Sequence, residues 1–176
     1  MSQHRRRLDN ILSDDFIDDI SHVAMSDVRE RRDMALGEET ELSFVRRILQ
    51  AKLDLLKAEL RVRKGEAPSL IESLPEVLAD DGPRPTYGRL PRTMAPGEHP
   101  WGRRPGDELI TDDTLSRLDG SSDDEIRELI EAIEAQEHEV SDVRQRLFDV
   151  IDKFQAEITR RYASGEASVD ELLTGR

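Results

Sequence analysis

Between Ser26 and Lys64 the apolar residues Leu42, Val45, Leu49, Leu53, Leu56 and Leu60 recur at steps of 3, 4, 4, 3 and 4. A second stretch, from Ser122 to about Ala163, repeats those steps with Val140, Val143, Leu147, Ile151, Phe154 and Ile158, and Ile126, Leu129 and Ile133 carry it upstream. Steps of three and four keep a narrow apolar seam on one face of an α-helix, the pattern of a coiled coil. Neither stretch contains proline, and Gly37 is the one interior glycine, costing about 1 kcal/mol against alanine. Ser26, with Asp27 and Glu30 behind it, predicts the N-cap of the first helix, and Gly65 predicts its stop. That helix is expected to run for about 38 residues, or roughly 57 Å. Ser122, followed by Asp123, Asp124 and Glu125, restarts a helix that Gly165 ends.

The pattern divides the chain into four segments. Residues 1–25 form an N-terminal segment with a possible short acidic helix. The first coiled-coil helix occupies 26–65 and the second, with a C-terminal tail, 122–176. The connecting segment, 66–121, contains a possible short helix over 69–81, broken at Pro75. It also contains a stretch from 82 to 106 with six of the eight prolines and five of the ten glycines. Arg84, Arg89, Arg92, Arg103 and Arg104 make this linker basic in an acidic protein. The fold class is therefore all-α: two long helices, short accessory helices and a Pro/Gly-rich linker. About 58 connecting residues can reach either end of the second helix, so the pattern alone leaves parallel and antiparallel pairing open. A hairpin within one chain is favoured over a homodimer, although the linker also permits a swapped dimer.

Composition changes this picture little. Only 36% of the residues are apolar while 37% are charged, which suits helices that bury one stripe each rather than a thick core. The chain has no cysteine, no apolar run of roughly 18–20 residues and no apolar region near its start, so a cytoplasmic, membrane-free location is expected. A net charge of −13 argues against a surface that tracks nucleic-acid phosphates. The four histidines lack metal-ligand spacing, and no P-loop, dinucleotide fingerprint or nucleophile–histidine arrangement is present. Neither a metal nor an enzyme activity is expected. Trp101, beside Arg103 and Arg104, is either a chance aromatic or an anchor into a partner.

Candidate chemistry lies one residue beyond each seam. The first helix carries Glu39, Ser43, Arg46, Gln50 and Asp54, and the second carries Glu137, Ser141, Arg144, Phe148 and Asp152. Corresponding residues stand 98 positions apart, and four of the five pairs are identical. Charged residues beside a seam commonly form interhelical pairs, which accounts for the glutamates and arginines. The serines fit that account poorly, because serine is an indifferent helix former and adds nothing to such pairing. Within roughly 16 Å each helix offers a bidentate cation, a hydroxyl and a carboxylate. Arginine forks to the Hoogsteen edge of guanine or to phosphate, aspartate accepts from guanine N–H groups, and serine donates to phosphate. In an antiparallel pair the two stripes are related by an approximate twofold axis and suit a twofold-symmetric guanine nucleotide.

The pattern E-x3-S-x2-R-x3-Q-x3-D, once on each long helix, resembles the signature of the RsiG-type (AmfC-like) actinobacterial anti-sigma factors. The first copy is complete, and in the second Phe148 stands where the signature has glutamine. The stretches LSFVRRILQAKLDLLKAEL and AEITRRYASGEASVDELL are similar to the family as well. The resemblance implies an antiparallel coiled-coil hairpin whose ten stripe residues bind cyclic di-GMP as a nucleotide dimer, two per chain. It further implies that the loaded protein sequesters a sporulation-type, WhiG-like sigma factor. With Phe148 in the second copy, binding is expected to be retained, with a ring available to stack on a base. The alternative is a coiled-coil adaptor that binds a protein partner constitutively, its stripes serving interhelical pairing alone.

Overall fold

The computed structural model describes residues 3–67, 69, 72, 118 and 120–167. The linker 82–106 with Trp101, nearly all of the expected helix 69–81, and the expected turn over 168–173 lie outside the described residues. Among the described residues four helices are present: α1 (Gln3–Ile11), α2 (Asp14–Ile17), α3 (Met25–Arg63) and α4 (Asp123–Ser164). No strand occurs among the described residues, and none of their helices is long and apolar enough to cross a membrane. The chain divides into two compact units, Met1–Leu42 with Asp142–Arg176, and Ser43–Ser141. Both long helices run through both units. In the first unit Arg29 meets Tyr162 and Glu39 meets Arg144; in the second Arg46 meets Glu137 and Arg63 meets Asp123. Residue numbers rise on one helix as they fall on the other, so the fold is an antiparallel coiled-coil hairpin.

In the second unit the seam buries Leu49, Leu53, Leu56 and Leu60 together with Ile126, Ile130, Ile133 and Val140. Each such side chain contributes about 1.5–3 kcal/mol on leaving water. Ile130 takes the place expected for Leu129, which is half-buried at the flank, because only Ile130 keeps steps of four and three from Ile126 to Ile133. Helix α4 opens with a capping box. The Ser122 backbone N–H donates to Glu125 Oε2 at 2.6 Å, and the Glu125 N–H donates to Ser122 Oγ at 3.3 Å. The Ser122 backbone N–H, and then its hydroxyl, hold the Glu125 carboxyl below the usual carboxylate range. Helix α3 closes on Gly65 at φ +74°, where the Glu66 N–H bonds Arg61 O and the Gly65 N–H bonds Val62 O. The Arg63 guanidinium joins these two ends. Its Nε donates to Glu59, NH1 to Ser121 O at 2.6 Å, and NH2 to Leu118 O at 2.7 Å.

In the first unit Val28, Ala35 and Leu42 of α3 lie in the core with Leu147, Ile151, Phe154 and Ile158 of α4. Leu8 and Ile11 of α1 and Phe16 of α2 are buried as well, and the Phe16 ring meets Phe154 edge-on at 5.6 Å. Arg31 donates to Phe16 O, and Arg7 lies 3.2 Å from the buried Glu38 carboxylate. The expected N-cap at Ser26 is displaced. Helix α3 begins at Met25, the Ala24 carbonyl accepts from the Asp27 and Val28 N–H groups, and Ser26 turns its hydroxyl to Asp27. Ser26 lies within the first turn, past the residue that precedes the helix, and so is not the residue that caps it.

A second guanidinium closes this unit. Arg161 is buried, with Nε on Glu157 at 2.6 Å, NH1 on Val23 O at 2.8 Å and NH2 on Ile20 O at 2.6 Å. Each partner of this clamp stands 98 residues from its counterpart in the other: Arg63 and Arg161, Glu59 and Glu157, Leu118 and Ile20, Ser121 and Val23. The stripe's repeat therefore extends to the device that ties each long helix to the backbone entering the other.

A lysine ammonium satisfies one such carbonyl, not a carboxylate and two carbonyls in one plane. Arg161→Lys is expected to speed amide exchange in residues 18–24 by about tenfold or more while leaving residues 118–121 protected. Unchanged protection of 18–24 would show that the clamp does not hold that segment. The same cluster carries a pH signature. Hydrogen bonds from Arg160 first, and from Arg161, draw the Glu157 carboxyl down to about 2 from 4.5. A depressed carboxyl stabilises the fold above its unfolded value, and that contribution is lost as pH falls through the folded value. The stability gap between the native chain and Glu157→Gln, followed by urea unfolding, should be widest above about pH 5 and close toward pH 2.

Candidate functional site

The two motif copies enter the structure through the heptad. Alternating steps of four and three from Val28 on α3 reach Leu42, Leu49 and Leu56, and on the way they land on Glu39 and Arg46. The same steps from Ile126 on α4 land on Glu137 and Arg144, one on either side of Val140. These four charged residues therefore fall on the heptad count, half-buried at the seam, while Val45, expected in the seam beside Arg46, is buried there as expected. Val143, expected in the seam, is only half-buried, because the unbroken heptad assigns that turn to Arg144. On α4 a strict four-three count, carried through Arg144 instead of stepping to Val143, contains this signal.

Charge at a seam position requires a partner, and each unit supplies one from the opposite helix. In the second unit Arg46 Nε donates to Glu137 Oε1 at 2.7 Å and to Ser141 Oγ at 3.0 Å. The Ser141 hydroxyl donates to the same carboxylate oxygen at 3.1 Å, and Gln50 Nε2 approaches it at 3.5 Å. Three motif residues thus meet on one oxygen of a fourth, Glu137. The Arg46 side chain is 36% exposed, and its NH1 and NH2 make no hydrogen bond among the described residues. In the first unit Arg144 NH2 donates to Glu39 Oε1 at 2.9 Å, with the two side chains 18% and 15% exposed. Here the guanidinium carbon lies 5.5 Å from the centre of the Phe148 ring, and Nε is covered with no hydrogen-bond partner.

The remaining motif residues are placed more openly. Asp54 and Asp152 are exposed, Ser43 and Gln50 are half-buried, and Phe148 is the exposed large hydrophobic residue among those described. Each cluster thus places a forked cation against a carboxylate, with a hydroxyl beside it in the second unit and an aromatic ring in the first. This chemistry suits oxyanions and the hydrogen-bonding edges of a purine. No group of histidine, aspartate and glutamate that could hold a metal occurs among the described residues. An open depression of about 390 Å³ in the first unit, lined by Asn10, Asp15, Phe16, Asp27, Glu30, Arg31 and Met34, contains no motif residue.

A half-buried cross-helix pair contributes through its coupling, which a double-mutant cycle isolates. The cycle Arg46→Ala with Glu137→Ala, read by thermal or urea unfolding, is expected to give about 1 kcal/mol of coupling at low salt. Strictly additive effects would show that the pair adds nothing to stability.

A model of the RsiG-like family matches residues 14–78 and 112–175, so the matched segments take in the whole of both α3 and α4. No curated protein matches the chain. Both motif copies and both guanidinium clamps, Arg63 and Arg161, fall within the matched residues. With the family model covering well over half of its length, the chain belongs to the RsiG-like family, a family of regulatory anti-sigma factors rather than of enzymes.

Proposed function

We propose that the chain is an anti-sigma factor gated by cyclic di-GMP. Two nucleotides bind per chain, through the motif copies Glu39-Ser43-Arg46-Gln50-Asp54 and Glu137-Ser141-Arg144-Phe148-Asp152. The loaded protein sequesters a WhiG-like sporulation sigma factor in an actinobacterial cytoplasm, away from core polymerase and promoter. At low nucleotide it lets the sigma factor go. The chain itself contacts neither DNA nor membrane.

One observation carries this reading. The convergence of Arg46, Gln50 and Ser141 on one Glu137 oxygen leaves the terminal nitrogens of Arg46 open to a ligand. A coiled coil that needed only register would be served by one ion pair at this turn. Serine and glutamine beside it contribute little to helix pairing but supply hydrogen bonds to a phosphate or a base. The net charge of −13 supports the partner class, since sigma-factor surfaces that meet DNA are basic and opposite fields favour encounter.

The ligand-independent adaptor is favoured by a different observation: both arginines already have carboxylate partners with no ligand bound. Isothermal titration with cyclic di-GMP separates the two readings. Uptake of about two nucleotides per chain is expected, together with capture of a candidate sigma factor only in its presence. Arg46→Ala combined with Arg144→Ala should weaken nucleotide binding by about a hundredfold or more, as loss of two charge-assisted contacts requires. Retained affinity in that variant, or nucleotide-independent capture of the sigma factor, would establish the adaptor instead.

A further inference from the structure

Within the second unit, α3 reaches α4 through cations used in two different ways. Lys57 Nζ meets Glu134 at 2.6 Å and Arg63 NH1 meets Asp123 at 3.2 Å, each with a terminal nitrogen. Arg46 reaches across with its inner nitrogen instead. Its Nε donates to Glu137 Oε1 at 2.7 Å and to Ser141 Oγ at 3.0 Å, and the Ser141 hydroxyl donates to that same carboxylate oxygen. NH1 and NH2 of Arg46 make no hydrogen bond among the described residues. Helix register in this unit does not call for such an arrangement, because the Lys57 and Arg63 pairs also cross between the helices.

A guanidinium can grip a partner side-on, through Nε and one terminal nitrogen, or end-on, through NH1 and NH2. Engaging Nε removes the first choice and leaves the second. An end-on fork takes a group with two acceptors side by side, which a guanine nucleotide offers as phosphate oxygens or as N7 and O6 of the base. Glu137 itself suits a ligand contact poorly. Its Oε1 already accepts from Arg46 and Ser141, with Gln50 Nε2 at 3.5 Å, and its negative charge opposes a phosphate. Resting on the cyclic di-GMP reading above, we propose that Glu137 is a positioning residue that acts through Arg46. With Ser141, it holds Arg46 by Nε so that the arginine is aimed end-on before the nucleotide arrives. In this unit the contacting arginine comes from the first motif copy and the groups that aim it come from the second.

Titration of the full chain with cyclic di-GMP tests this as a double-mutant cycle, each variant first shown to be folded at the titration temperature by far-ultraviolet circular dichroism. Arg46→Ala and Glu137→Ala should each weaken binding by about tenfold, and the double variant should bind no more weakly than Arg46→Ala alone. Glu137→Gln keeps an oxygen for Nε and is expected to restore affinity to within about threefold of the native chain. Where Glu137→Ala does not fold, Ser141→Ala, which removes the other acceptor of Nε, takes its place in the cycle, with a loss of about threefold that vanishes beside Arg46→Ala. Losses that multiply in the double variant would mean that Glu137 contacts the nucleotide itself. Binding by Glu137→Ala as tight as that of the native chain would mean that the carboxylate does not aim Arg46. Either result overturns this inference and leaves cyclic di-GMP gating intact, whereas failure of the native chain to bind cyclic di-GMP overturns both.

Discussion

A carboxylate or guanidinium in the seam of a coiled coil must find its counter-charge across the seam, and the rest of this fold follows from that constraint. Glu39 and Arg144, and Arg46 and Glu137, stand at heptad positions that leucine or valine would otherwise fill. A leucine seam slides by a heptad at modest cost, because one leucine replaces another. A seam carrying Glu and Arg at fixed turns does not, since a slip strands partly desolvated charge against Leu42, Leu49 or Val140. Apolar burial around the pairs supplies the stabilisation, and the pairs select which antiparallel alignment receives it. The cost is a less apolar middle to each helix, which is the condition for a polar ligand to find anything there to bind.

The clamps solve a related problem at the helix ends. A long two-helix coiled coil frays where the chain enters and leaves, because the last carbonyls and the entering loop have few partners. Arg63 and Arg161 each use three nitrogens to hold a local glutamate and two backbone carbonyls of the segment entering the opposite helix. The planar fork suits this, since its donors diverge toward acceptors that no single ammonium could reach. The first unit adds what the described part of the second does not have, the short helices α1 and α2, whose Leu8, Ile11 and Phe16 thicken a core that two helices alone would leave thin.

The periodic features were the legible ones. Seam residues separated by three and four, prolines confined to the connecting segments, and glycines at helix ends announced two long helices, and Gly65 and Gly165 both adopt positive φ as stops. The motif stripe was visible because it repeats at 98 residues. On α3 the stripe lies beside a seam that was read correctly, with Val45 buried in it; on α4 the seam was read one residue off at a single turn, where Val143 is half-buried and Arg144 keeps the heptad. Apolar pattern-matching cannot see a seam position filled by charge. The clamps were legible in principle, because Glu59, Arg63, Glu157 and Arg161 repeat at the same offset, but their acceptors are backbone carbonyls that leave no mark in a sequence. Ser26 carried a valid capping signal for a helix that in fact starts earlier, and α2 is too short for any periodicity to announce.

Repetition also explains where the two copies diverge. Equivalent positions in a repeated hairpin meet equivalent constraints at the seam, so Glu and Arg recur in both copies, each paired with the other helix. Gln50 and Phe148 sit at the rim, where the opposite helix demands less and the choice of residue is free to follow whatever approaches from outside. Gln50 leans toward the Glu137 carboxylate, while Phe148 lies under the arginine of its own helix four residues before it. In the first arrangement Arg46 is held through Nε, and in the second Arg144 is held through NH2 beside the ring. Equivalent rim positions of one repeated scaffold therefore differ in chemistry, an amide in one copy and a ring in the other, while both cross-helix pairs are made.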